Sequence, residues 1–198
     1  MSGDLAPCTP LAQEELAEQL GVSRQPISHA LILLRREGLV VDRGGKGQMV
    51  APIDADRLLG LYQVRGALDR LAARLTAAGQ GATKAKGHEF GNLIERGKAA
   101  AATGDIGKLV DADFAFHMAL HDMSENAEIS ATVSGFWPHM VRSMRVVLED
   151  ESAWTGIWVE HAAIADAVMS GDVDRAGELA ANHADKAGEA TYLRLANL

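Results

Sequence analysis

"GVSRQPISHALILLRREGLVVDRGGKGQMV", residues Gly21–Val50, sets a basic patch into a chain of 198 residues with a net charge of −8. From residue 19 to residue 52, Arg24, Arg35, Arg36, Arg43 and Lys46 face only two acids, Glu37 and Asp42. Ser23 has the side chain of an N-cap, and Pro26 falls in the first turn of the helix that follows, where its missing N–H costs nothing. That helix is read as carrying Ile27, Ala30, Leu31 and Leu34 inward and ending at Gly38. "LVV" and "QMV", separated by "DRGGKG", then read as a two-stranded hairpin with a glycine-rich tip.

Working outward, "LAQEELAEQL" (Leu11–Leu20) places Leu11, Leu16 and Leu20 on one helical stripe, and Gly21 ends it. Helix, glycine turn, capped helix and hairpin follow one another in the order of a winged helix-turn-helix. The leading side chains of the second helix are Arg24, Gln25, Ser28 and His29. Such a helix enters the major groove by its N-terminal end, where arginine can pair with guanine and glutamine with adenine. Arg43 and Lys46 on the hairpin can meet phosphates, and Gly47 permits close backbone approach. Considered alone, the helix has an equally simple reading as an amphipathic segment with a solvated polar face. The serial order favours duplex DNA as partner.

"VAPID" reads as a linker, dividing a DNA-binding domain over residues 1–52 from a second domain over 53–198. Beyond it the pattern predicts helices at about Ala55–Ala78, Lys86–Ala102, Asp105–Met123, Ala127–Leu148, Thr155–Ser170 and Asp172–Leu195. In "TGD" and "SGD" a glycine closes one helix and an aspartate caps the next. The fold class expected is mostly α, a winged helix-turn-helix followed by an antiparallel bundle of about six helices. No apolar run is long enough for a membrane span. The single cysteine, Cys8, forbids an internal disulfide, so a cytoplasmic protein is expected.

Within the bundle, Asp113 and His117 lie four residues apart on one helix face. His161 and His183 sit on later helices, each among alanines and branched apolar residues. A buried aspartate is costly to leave unpaired, and three imidazoles gathered about it suit a divalent cation such as Zn, Ni, Mn or Fe. Spacing alone does not bring the three helices together, and isolated histidines on apolar faces are commonly core residues. His121 continues the same face one turn further and is read as a non-ligand. An arginine turned into the bundle would clamp a carboxylate bidentately, and Arg65 and Arg142 are the candidates. The alternative is an ordinary ion pair, such as Arg65 with Asp69.

"EELAEQLGVSRQPISHALILLRREGLV" and "GGKGQMV" resemble the reading head of the GntR family of bacterial transcription regulators. Ser28 and Ile32 stand where that family commonly has arginine, so an operator sequence does not carry over. The resemblance also implies a leading helix that "SGDLAPCTPL" would follow. The expectation is therefore a winged domain short of its first helix, with a weakened reading head. "YQVRGALDRLAARL", "GDIGKLVDADFAFHMAL" and "EHAAIADAVMSGDVDRA" resemble the FCD effector domain of the FadR subfamily, with six helices pointing to its VanR-like branch. In many such domains one aspartate and three histidines hold a metal, and they fall on Asp113, His117, His161 and His183.

The reading is a homodimeric, non-enzymatic regulator whose operator binding responds to a metal-bound small organic acid. Two alternatives stand beside it. One is a metal-dependent sensor without DNA binding; the other is a hydrolytic or oxidative enzyme built on three histidines and a carboxylate.

Overall fold

The computed structural model describes residues 5–79, 84–148 and 154–197, in two compact units, Met1–Asp54 and Ala55–Leu198. The breaks between helices that the sequence offers at "AAGQGAT" and "EDESAW" fall largely outside those residues. In the first unit a short strand β1 (Pro10–Leu11) precedes helices α1 (Gln13–Leu20) and α2 (Arg24–Arg36) and strands β2 (Val40–Asp42) and β3 (Gln48–Val50). The turn between the helices works because Gly21 adopts φ 65°, which lets the Val22 N–H reach the Ala17 carbonyl at 3.0 Å. Ser23 has extended cap geometry, but its side chain makes no cap hydrogen bond. Ala17, Ile27, Leu31 and Val40 form a small core. Ala30 and Leu20, expected inward, are exposed.

The wing differs from the two-stranded hairpin expected. β3 lies between β2 and β1 in an antiparallel sheet of three strands, with Val40 opposite Val50 and Pro10 opposite Met49. A two-residue strand has no periodicity to read, and Pro10 is tolerated because β1 is an edge. At the tip, Arg43 N–H donates to the Gly47 carbonyl at 2.8 Å while Gly44, Gly45 and Gly47 all take positive φ.

The second unit is wholly helical among the described residues: α3 (Ala55–Ala78), α4 (Lys84–Ala102), α5 (Ile106–Met123), α6 (Ala127–Val147), α7 (Trp154–Met169) and α8 (Val173–Ala196). Asp105, Asn126 and Asp172 cap α5, α6 and α8 by accepting backbone N–H groups of Lys108, Glu128 and Arg175. The core runs through Phe90, Leu93, Phe116, Leu120, Trp158 and Ile164. Close approach of α3 to α8 depends on glycine. A Cβ on Gly188 would lie 2.7 Å from the Tyr62 Cβ, and one on Gly66 would press on Ala184 and Asp185.

Gly97 on α4 faces a harder limit, because a Cβ there would stand 2.1 Å from the ring carbons of Trp158. Trp158 is buried and meets His161 edge-on at 4.7 Å, so the indole has nowhere to retreat without moving that imidazole. Gly97→Ala is expected to destabilise the second unit by about 1–3 kcal/mol, the usual cost of overpacking. Thermal unfolding followed by tryptophan fluorescence checks this, and an unchanged midpoint would refute it.

Candidate metal and ligand site

Four side chains from three helices converge in the second unit. Asp113 and His117 come from α5, His161 from α7 and His183 from α8, and all four are buried, with one donor atom from each inside a 4.8 Å span. His161 Nε2 lies 3.2 Å from both His117 Nε2 and His183 Nε2, and 3.4 Å from Asp113 Oδ1. His117 Nε2 is 3.8 Å from that oxygen. Ligands bonded at ~2.1 Å stand roughly 3.0–3.4 Å apart around one ion in octahedral or tetrahedral arrangements, so the spacing suits a shared cation.

Proton positions favour the same conclusion. Glu160 accepts from His183 Nδ1 at 2.8 Å and from Lys186 Nζ at 2.7 Å. The His183 bond, and then Lys186, hold the Glu160 carboxyl down at about 2, so it is a carboxylate. With Nδ1 held by Glu160, His183 turns Nε2 inward toward His161. His117 Nδ1 stands 3.3 Å from Asp69 Oδ2 without a hydrogen bond, and its Nε2 meets Arg65 Nη2 as well as His161 Nε2. Burial, then the nearby Arg65 charge, lowers His117 to about 4, so it is neutral at pH 7. Burial and the other two histidines keep His161 well below its ordinary value as well. Asp113 Oδ2 is buried without a hydrogen-bond partner. A divalent cation would meet all these demands together.

Beneath the four lies a second buried layer. Asp69 accepts from Arg65 Nε at 3.1 Å and from His121 Nε2 at 2.5 Å, and all three side chains are fully buried. Burial alone would push the Asp69 carboxyl up, but Arg65 and then His117 outweigh it and hold the group well below the usual carboxylate range. The Arg65 guanidinium lies over the Trp137 ring at 5.0 Å and its Nη2 meets His117 Nε2, while Nη1 has no hydrogen-bond partner.

Arg65, Asp113 and His183 form part of the wall of a cavity of about 270 Å³, at the small end of ligand pockets. Arg142, the other arginine expected to clamp a carboxylate, does not line it. α6 turns Met144 and Leu148 to the cavity, and Arg142 is two residues from Met144, about 200° around the helix. The alternative reading of Arg65, a pair with Asp69, also holds, and the two roles coexist because they use different nitrogens. Asp69, His121 and Glu160 were undervalued as site residues in the sequence. Their signal was the i, i+4 spacing of Arg65–Asp69 and of Asp113–His117–His121.

In the first unit, Arg24, Ser28, Lys46 and Gly47 line one cleft between α2 and the wing. Gln25 and His29 are exposed on α2, and Arg43 is half-buried at the tip. Arg24 Nη1 donates to Glu14 Oε1 at 2.8 Å, an exposed pair of the kind that contributes little to stability.

Residues 60–186 match the FCD domain, and residues 1–50 match the family described as bacterial regulatory proteins, gntR family. The chain belongs to the GntR family and carries an FCD domain. It is thus a DNA-binding transcription regulator of the GntR–FCD type, from a family whose members are generally not enzymes. An HTH-type transcriptional regulator in an unstable DNA locus of Streptomyces ambofaciens is 33% identical over 86% of this chain and 70% of its own length. LutR of Bacillus subtilis is 28% identical over 86% of each protein. Among solved structures, McbR/YncC of E. coli superposes with a TM-score of 0.83 over 98% of this chain and 91% of its own, at 19% identity, which speaks for the fold. A GntR regulator from Rhodococcus superposes with a TM-score of 0.79 over 100% of this chain and 92% of its own, at 20% identity. No described helix is long and apolar enough to cross a membrane.

Proposed function

We propose that this regulator holds a divalent cation on Asp113, His117, His161 and His183, and that a small carboxylate binding beside it on Arg65 alters operator affinity. The observation that carries the reading is the meeting of three Nε2 atoms and one carboxylate beside a cavity whose lining includes Arg65, a buried arginine with one unpartnered nitrogen. Borderline donors of this kind suit Zn, Ni, Mn or Fe. When bound, the ion would supply positive charge and open positions for an acid's oxygens. Glu160 and Asp69 would orient His183 and His117 from behind, as carboxylates commonly do for metal-bound imidazoles. Because Glu160 is committed to His183 and Lys186, it is poorly placed as a general base, which favours the regulator over the enzyme.

Six helices in the described part of the second unit support the VanR-like branch of the FadR subfamily. A cytoplasmic homodimer would present two reading heads to a short palindromic site. Arg24, Gln25, Ser28 and His29 are the base-reading candidates, with Arg43, Lys46 and Gly47 at the backbone. An acid can change DNA affinity only if it binds the DNA-competent arrangement with a different affinity, and the coupling is then reciprocal.

Duplex titrations with fragments from the gene's own upstream region, with and without metal and acid, test this. Lys46→Ala is expected to weaken all duplexes alike and to reduce the salt slope by about one unit. Arg24→Ala should cost about 1–3 kcal/mol on the preferred sequence and less elsewhere. Metal and acid binding with no affinity for any duplex would leave the sensor reading in place of the regulator.

A further inference from the structure

We propose that the acid recognised here is a monocarboxylate with an unbranched apolar tail, rather than a hydroxy acid or a polycarboxylate. The inference rests on the metal-and-carboxylate reading above and concerns the rest of the cavity. The cavity has a direction. His183 stands at the ion end of α8, and Ala187 and Ala190 follow it along the wall, the latter roughly 10 Å away at 1.5 Å per residue. The turn at residues 170–172 makes α7 run back along α8, so Ile157 and Gly156 lie on the Ala190 side of His161. α6 adds Met144 and Leu148. The channel leading away from the ion is therefore walled by methyl, methylene and thioether groups.

Polar atoms on the same wall are already engaged, with two exceptions. The Thr191 hydroxyl donates to the Ala187 carbonyl at 2.7 Å, and the Tyr62 hydroxyl is buried near Thr191 and Ser143. Glu160 and Lys186 hold each other. Arg65 Nη1 and Asp113 Oδ2 are left buried and unpartnered on residues that line the cavity, and both residues belong to the ion end. One carboxylate at that end, on the ion and Arg65, meets its partners. A second carboxylate or a hydroxyl further out would lose water and meet alkyl groups, or would face the Glu160 charge beside Lys186. A buried polar group left unmatched is costly, whereas each buried methylene tightens binding by about fourfold.

Calorimetric titration of the nickel-loaded and metal-free chain with acetate through octanoate, and with succinate and citrate, tests this. Affinity is expected to rise about fourfold per methylene until the channel is filled, with succinate and citrate weaker than the monocarboxylate of equal length. In Ala187→Leu, which narrows the channel midway, the octanoate-to-acetate affinity ratio should fall at least tenfold. Ala190→Leu at the exposed end serves if that protein does not fold, with a cut-off at greater chain length. A flat series, a preference for citrate or succinate, or an unchanged ratio in the folded variant would overturn the proposal. A slope that persists when no cation binds would keep the tail and remove the ion, while nickel binding with no slope would do the reverse.

Discussion

Arg65→Met is expected to destabilise the second unit by about 3–5 kcal/mol, because it strands a buried carboxylate whose partner it removes. The guanidinium and Asp69 are both fully buried and 3.1 Å apart, so water cannot take over either role. His117 remains beside Asp69, but charging it requires a proton that burial, the largest cause of its value of about 4, makes expensive. The pH dependence gives the prediction its sign. In the parent chain the Asp69 carboxyl lies below its unfolded value of about 3.9, so its contribution to stability is present above that pH and is lost as pH falls through the folded value. In Arg65→Met the burial that pushes this carboxyl up loses its main opponent, so the group should rise, with a penalty that operates near neutrality and is relieved as acid protonates it. The stability gap between variant and parent should therefore narrow from pH 7 towards pH 4, measured by urea unfolding. Arg65→Met combined with Asp69→Leu should recover most of the loss at pH 7. A gap that is constant with pH would mean that the pair's charge is not what the fold depends on.

That pair shows where the sequence was informative and where it was silent. Two helix boundaries in the second unit were legible because their joints carry chemistry of their own: Gly104 and Gly171 at positive φ, with Asp105 and Asp172 capping the next turns. The four candidate ligands were also legible as residue types on apolar faces, but spacing relates only Asp113 to His117, since they share α5. The meeting of α7 and α8 with α5 is a tertiary event, set by packing such as Gly97 beneath Trp158 and Gly188 against Tyr62, and no local pattern encodes it. Arg65 and Arg142 looked alike as arginines in amphipathic helices. What separated them was rotation about the helix axis: α6 spends the cavity-facing positions on Met144 and Leu148. His121 was passed over for a related reason. As a possible ion ligand it lies a turn too far, yet that offset brings it onto Asp69, a partner on α3 that α5 alone does not reveal.

Asp113→Ala separates a metal ligand from a residue that merely fills space. Outer partners of metal-bound histidines cost about 10–100-fold in metal affinity when removed, so loss of the only carboxylate among the four candidate ligands should cost at least that much. Nickel at about 100 times its dissociation constant would stabilise the parent chain by about 2.7 kcal/mol, and in a chain of this size that is a rise of roughly 5–10 °C in Tm. The same concentration should stabilise Asp113→Ala by no more than about 0.4–1.4 kcal/mol, or roughly 1–5 °C. Metal-free proteins should behave differently. Asp113 Oδ2 is buried with no hydrogen-bond partner, so removing the carboxylate relieves a desolvation cost, and the metal-free variant should unfold no earlier than the metal-free parent. An acid that binds on the ion should lose apparent affinity in this variant at a fixed nickel concentration, because fewer molecules then carry the ion. A variant that unfolds well below the metal-free parent, yet still gains the full increment from nickel, would make Asp113 a structural residue. It would also leave the three imidazoles as a packed cluster without a carboxylate in the ion's coordination.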